Sequence, residues 1–176
     1  MKKVILSVVF VLLAVTGFCQ KYAFINSEYI LSNMPEYKEA QAELDRIAVQ
    51  WQKEIEAKFA SIDSMYRKYQ VESITMPDQI KKNREEAIIA QERAAKELQK
   101  KRFGQDGDLF KKREELVKPI QDRVISTVND YAKEKGYAFV FDSAGEMTII
   151  YADPKWDINS IILQKLGISI NDELDD

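Results

Sequence analysis

The chain is expected to be mainly α-helical with a small β body, its helices forming a long antiparallel, coiled-coil-like hairpin that projects from a three-strand sheet. Three observations lead there. Residues 36–71 contain neither Gly nor Pro, and apolar side chains recur there every three or four positions. Charged residues make up 31% of the 176, against only 6 Gly and 4 Pro. The β-rich runs are short and lie near the two ends of the chain. Plentiful Glu, Lys, Gln and Ala with few turn formers favour long helices over a many-turned globule.

Residues 1–20 read as a secretory signal peptide. Lys2 and Lys3 precede an apolar run from Val4 to Val15, and Thr16-Gly17-Phe18-Cys19-Gln20 follows. A basic start, an apolar core of about a dozen residues and small residues at the end describe a cleaved leader, since a membrane span needs about 20 apolar residues. Cleavage falls after Cys19 or after Gln20. Acylation of Cys19 is the alternative, and the bulk of Phe18 stands against it. Cys19 is the single cysteine and His is absent. Cleavage after Cys19 leaves no thiol or disulfide chemistry, and the lack of His removes the commonest general base and metal ligand.

Residues 21–34 form a body strand and turn. Tyr22-Ala23-Phe24-Ile25 is aromatic and β-branched, a helical turn from Glu28 to Ser32 follows, and Pro35 suits the first turn of the next helix because its missing N–H is unpaired there anyway. Residues 35–118 form the hairpin arm. Its outward helix carries Tyr37, Ala40, Leu44, Ile47, Trp51, Ile55, Phe59, Ile62, Tyr66 and Tyr69 in one stripe. Such a rod is about 55 Å long, too long to be wrapped by a domain of this size. The paired fours at Trp51-Ile55-Phe59 depart from a strict heptad and predict local unwinding. The tip lies at 73–78, where Ser73-Ile74-Thr75-Met76-Pro77-Asp78 supplies turn and cap chemistry. The return helix shows a thinner stripe, Ile80, Arg84, Ala87, Ile88, Gln91, Ala94, Ala95 and Leu98, whose small residues suit close packing on large ones. Gly104 and Gly107 mark a kink or short loop and a flex point.

Residues 119–170 return to the body. Pro119 interrupts the helix, and Ile120, Val124, Val128 and Tyr131 continue the stripe to a stop at Gly136. Tyr137 to Phe141 and Met147 to Tyr151 read as a β-hairpin about Asp142-Ser143-Ala144-Gly145. Asp157 caps a last helix from Ile158 to Leu166, ended by Gly167, and residues 171–176 are an acidic tail. Three short strands are too little sheet to stand alone, so pairing between identical subunits is expected.

Four segments together resemble the Skp/OmpH family of periplasmic chaperones. They are Tyr22-Ala23-Phe24-Ile25-Asn26 with Glu28-Tyr29-Ile30-Leu31; the charged hairpin; Leu116-Val117-Lys118-Pro119-Ile120-Gln121-Asp122; and Tyr137 to Asp142 with Ile149-Ile150-Tyr151-Ala152-Asp153 leading to Asp157-Ile158. The resemblance implies a homotrimer whose strands complete a barrel-like body and whose arms are tentacles around a cavity for unfolded outer-membrane proteins. Tyr22, Phe24, Phe139, Phe141, Ile149 and Tyr151 are the candidates for the oligomer contact. The family's best-known member is strongly basic along its arms, whereas this chain has a pI near 5.3. Here residues 36–118 hold 18 Lys or Arg against 17 Asp or Glu, and residues 119–176 hold 5 against 11. That balance does not favour lipopolysaccharide or membrane contact. The basic spots at Lys81, Lys82, Arg84, at Lys100, Lys101, Arg102 and at Lys111, Lys112, Arg113 read as solvated helix faces.

The function expected is ATP-independent holding of unfolded outer-membrane proteins in the periplasm, where aggregation by edge pairing threatens them. Phe59, Met65, Tyr66, Tyr69, Ile74 and Met76 are the candidates for client contact, with packing between the arms as the competing role for each. A structural spacer or tether in the cell envelope is the alternative, although it would prefer a stiff, strictly heptad coil. No enzyme is expected, and no catalytic, cofactor-binding or metal-binding residue is assigned. Asp142, Asp153 and Asp157 follow β-rich runs and read as turn and cap residues, no Walker-type glycine loop is present, and charge argues against nucleic acid.

Overall fold

A computed structural model describes residues 21–145 and 149–169. The leader with Cys19, residues 146–148 of the expected β-hairpin and the acidic tail lie outside the described residues. The elements, in order, are β1 (Lys21–Ile25), α1 (Ser27–Ser32), α2 (Pro35–Glu72), α3 (Asp78–Phe103), α4 (Asp108–Lys135), β2 (Tyr137–Asp142), a 3-10 turn (Pro154–Trp156) and α5 (Asn159–Lys165). They divide into two compact units.

The first unit covers Met34–Arg123 and is wholly helical, made of α2, α3 and the start of α4. Pro35 opens α2 at its first turn, and the helix runs 38 residues, about 57 Å at the usual rise. Ile62 of α2 packs with Ile88 and Ala95 of α3, flanked by Phe59, Met65 and Tyr69. Ala40 and Leu44 pack with Val117 of α4, flanked by Tyr37, Leu109, Leu116 and Ile120. Polar and aromatic pairs continue the same order. Glu72 meets Arg84, Tyr69 meets Glu85, Glu54 meets Arg102, Trp51 meets Phe103 and Glu36 meets Arg123. Late positions of α2 thus meet early positions of α3, and early positions of α2 meet α4.

Two expectations are corrected in this unit. The seam of α3 is narrower than the stripe read from the sequence. Ile88 and Ala95 are buried and Leu98 is half-buried, whereas Ile80, Arg84, Ala87, Gln91 and Ala94 are exposed. Residues seven apart stay on the facing side, and those one position earlier turn away. Pro119, expected to interrupt the helix, lies inside a continuous α4. Proline removes one intrahelical bond and crowds the preceding turn; the packing of Leu116, Val117 and Ile120 on Ala40 and Leu44 offsets that cost.

The second unit comprises the described residues of 1–33 and 124–176. Its sheet has two strands, β1 parallel to β2, with Tyr22 opposite Phe139 and Phe24 opposite Phe141. The expected third strand is not formed by Ile149, Ile150 and Tyr151, which carry no strand. The far side of β1 instead makes a single bridge to Asp157, where the Ile158 N–H donates to the Phe24 carbonyl at 3.1 Å. Asp153-Pro154 starts the 3-10 turn, and the chain reaches β1 only after it. Ala23, Ile25, Ile30, Leu31, Val124, Val128, Tyr131, Ile158, Ile162 and Leu163 are buried in this unit. Gly136 ends α4 at φ 69°, a left-handed conformation that favours glycine. Among the described residues, no helix is long and apolar enough to cross a membrane.

Candidate functional site

The turn between α2 and α3 is the first candidate surface. Ser73 to Pro77 forms the turn, with the Ser73 N–H donating to the Tyr69 carbonyl at 2.8 Å and the Thr75 N–H to Glu72 at 3.2 Å. The six residues expected to touch a client divide here. Phe59, Met65 and Tyr69 pack against Ile62, Ile88 and Ala95. Ile74 is 84% exposed, Tyr66 is 50% exposed, and Met76 is half-buried. Val71, which the stripe did not single out, is 77% exposed. Its signal was present in the sequence, because it falls off the row formed by Ile62, Met65 and Tyr69 while remaining apolar.

Surface apolar groups are ordinary when scattered singly. Val71 and Ile74 are different because they stand three residues apart at one turn, and Arg67, Lys68, Lys81 and Lys82 lie close by in sequence. Arg67 is paired with Asp63 at 2.9 Å, and Lys82 approaches Glu86 at 4.0 Å. The local charge is therefore largely balanced. Such a surface can make weak apolar contacts without a fixed pocket.

The aromatic face of the sheet is the second candidate surface. Partners in adjacent strands share a face and residues two apart in a strand share it as well, so Tyr22, Phe24, Phe139 and Phe141 lie together on one side. Phe139 and Phe141 are stacked at 6.2 Å, and Tyr22 lies 5.5 Å from Trp156. Phe139 is nonetheless 58% exposed. Beside this face lies a hollow of about 540 Å³ lined by Tyr22, Phe24, Phe141, Ile149, Tyr151 and Trp156, among others. Five of the six expected oligomer residues line it, and the sixth, Phe139, stacks on Phe141 without lining it.

The three carboxylates that follow the β-rich runs serve the backbone. Asp142 accepts from the N–H groups of Ser27 and Ala144, each at 3.0 Å. Burial pushes its pKa up, and the hydrogen bonds from Ser27 and Ala144 outweigh that, so the carboxyl titrates below its ordinary range. Asp153 accepts from the Lys155 N–H at 3.1 Å and starts the 3-10 turn, and Asp157 accepts from the Asn159 N–H at 2.7 Å. Asn159 in turn accepts from the Asn26 N–H at 2.7 Å, tying the end of β1 to α5.

A helical unit built on long helices and a small parallel sheet with an exposed aromatic face are thus the two candidate surfaces. The family model described as outer membrane protein (OmpH-like) matches residues 21–166. The chain belongs to this OmpH-like family, whose members are periplasmic chaperones of outer membrane proteins rather than enzymes. A crystal structure from Caulobacter crescentus CB15, described as an OmpH-like outer membrane chaperone, superposes with a TM-score of 0.68 at 13% identity and covers 88% of each chain. At that identity the likeness is one of fold. No curated protein sequence matches.

Proposed function

We propose that this chain is an ATP-independent holdase that binds unfolded outer-membrane β-barrel proteins in the periplasm and keeps them from aggregating before insertion. The observation that carries this reading is the pair of large apolar side chains, Val71 and Ile74, left in water at the α2–α3 turn of a chaperone-family chain. An unfolded barrel strand offers alternating apolar side chains and unpaired backbone. Many weak apolar contacts of this kind retain such a client without a pocket or a nucleotide.

In this reading residues 1–20 are a leader removed on export. Residues 35–118 form an antiparallel arm, supported by the order in which Glu72, Glu54 and Glu36 meet Arg84, Arg102 and Arg123. Tyr22, Phe24, Phe139, Phe141, Ile149 and Tyr151 join three copies, since a two-stranded sheet with an exposed aromatic face is too small to be stable alone. Tyr66, Ile74 and Met76 touch client, joined by Val71, while Phe59, Met65 and Tyr69 act through the packing of the arm.

The test is light scattering of a denatured outer-membrane barrel protein diluted into buffer with and without the mature chain. Scattering suppressed in proportion to added chain is expected. Scattering that is the same in both would remove the holdase reading and leave the envelope spacer.

A further inference from the structure

The joint between α3 and α4 carries an arrangement that its glycines alone do not explain. Gly104 and Gly107 both have negative φ or ordinary backbone, since the positive-φ glycines are Gly136 and Gly167. What they provide is room. A Cβ on Gly104 would strike the Lys100 carbonyl, and one on Gly107 would meet the carbonyls of Lys101 and Arg102 at 2.8 and 2.9 Å. The N–H groups of Gly104, Gly107 and Lys111 donate to Lys100, Gly104 and Gly107 at 2.8, 2.9 and 3.1 Å. The loop is thus a tight, hydrogen-bonded turn.

Arg102 pins that turn in place. Its guanidinium carbon lies 4.5 Å from the centroid of the Trp51 ring in α2. One terminal nitrogen meets Asp108, across the glycine loop, at 2.8 Å, and the other reaches Glu54 of α2 at 3.5 Å. Phe103 completes the contact edge-on to Trp51 at 6.4 Å. Arg102 Nε is buried with no hydrogen-bond partner among the described residues, a cost the chain bears where the ring and two carboxylates already hold the group.

We propose that Arg102, seated on Trp51 between Glu54 and Asp108, is a latch that holds the α3–α4 joint closed, so that the stiffness of this helical unit is set by one side chain. Arginine suits the role because its flat fork stacks on an aromatic face while serving two carboxylates, which lysine cannot do. Release of the latch leaves the four-residue loop 104–107 tied by the three backbone hydrogen bonds and the Phe103–Trp51 contact, and the two glycines then act as the hinge.

Hydrogen exchange of the full mature chain, read by mass spectrometry, tests this. In Arg102→Met, exchange across 100–111 should quicken about tenfold while 60–90 keep the wild-type rate. Arg102→Lys, which retains charge and length, should fall between the two. Unchanged exchange at 100–111 in Arg102→Met, equal acceleration through 60–90, or wild-type exchange in Arg102→Lys would each overturn the latch. None of these readings depends on client binding.

Discussion

The phenol of Tyr69 donates a hydrogen bond to the carboxylate of Glu85, linking the last turns of α2 to the first turns of α3. That bond holds the phenol above its ordinary titration range, with burial and the negative charge of Glu85 acting in the same direction. A raised pKa favours the folded state at pH values below that of the unfolded phenol, and the benefit is lost as pH rises through the folded value. Tyr69→Phe should therefore flatten the alkaline fall in stability seen in the wild type. Urea unfolding across the alkaline range checks it, and parallel curves for the two proteins would count against the bond.

The seam and the turn of the helical unit should respond to truncation very differently. Ile62→Ala removes buried methyl groups between α2 and α3 and should cost about 2–4 kcal/mol. Ile74→Ser removes an exposed side chain and should change stability by less than about 0.5 kcal/mol. Denaturant midpoints at neutral pH report both.

Client holding should show the opposite sensitivity. Replacing Tyr66, Val71 and Ile74 together with Ser should weaken suppression of light scattering severalfold and leave the assembled mass unchanged. Full protection by the triple variant would move client contact away from the turn.

Acid should expose the role of Asp142. Its carboxyl titrates low because the bonds from Ser27 and Ala144 outweigh burial. The stabilisation it contributes is present above the unfolded value of about 3.9 and is lost as pH falls through the lower folded value. Asp142→Asn should cost about 1 kcal/mol at neutral pH, a figure already reduced for solvent screening of this partly exposed group, and almost nothing at about pH 2. Melting temperatures at the two pH values decide it.

The long helices were legible because one stripe of apolar residues persists through 37–69, with Pro35 at its start and Pro77 just before the second helix. Local rules could not decide which of two neighbours enters the seam. Met65 and Tyr66 both keep three- or four-residue spacing from Ile62, and the facing surface of Ile88 and Ala95 takes Met65. Pro119 misled for the same reason, since its cost is local and its compensation comes from Ala40 and Leu44, far away in sequence. The third strand failed because Ile149 to Tyr151 carry β propensity without a partner strand among the described residues. The exposure of Val71, and the setting of Arg102 on Trp51, depend on which side of α2 faces its neighbours.

Native mass spectrometry of the mature chain mixed with an unfolded outer-membrane barrel protein tests the central claim most directly, because it counts chaperone copies and client in one species. The account predicts three copies holding one client. Single copies beside aggregated, uncaptured client would contradict it.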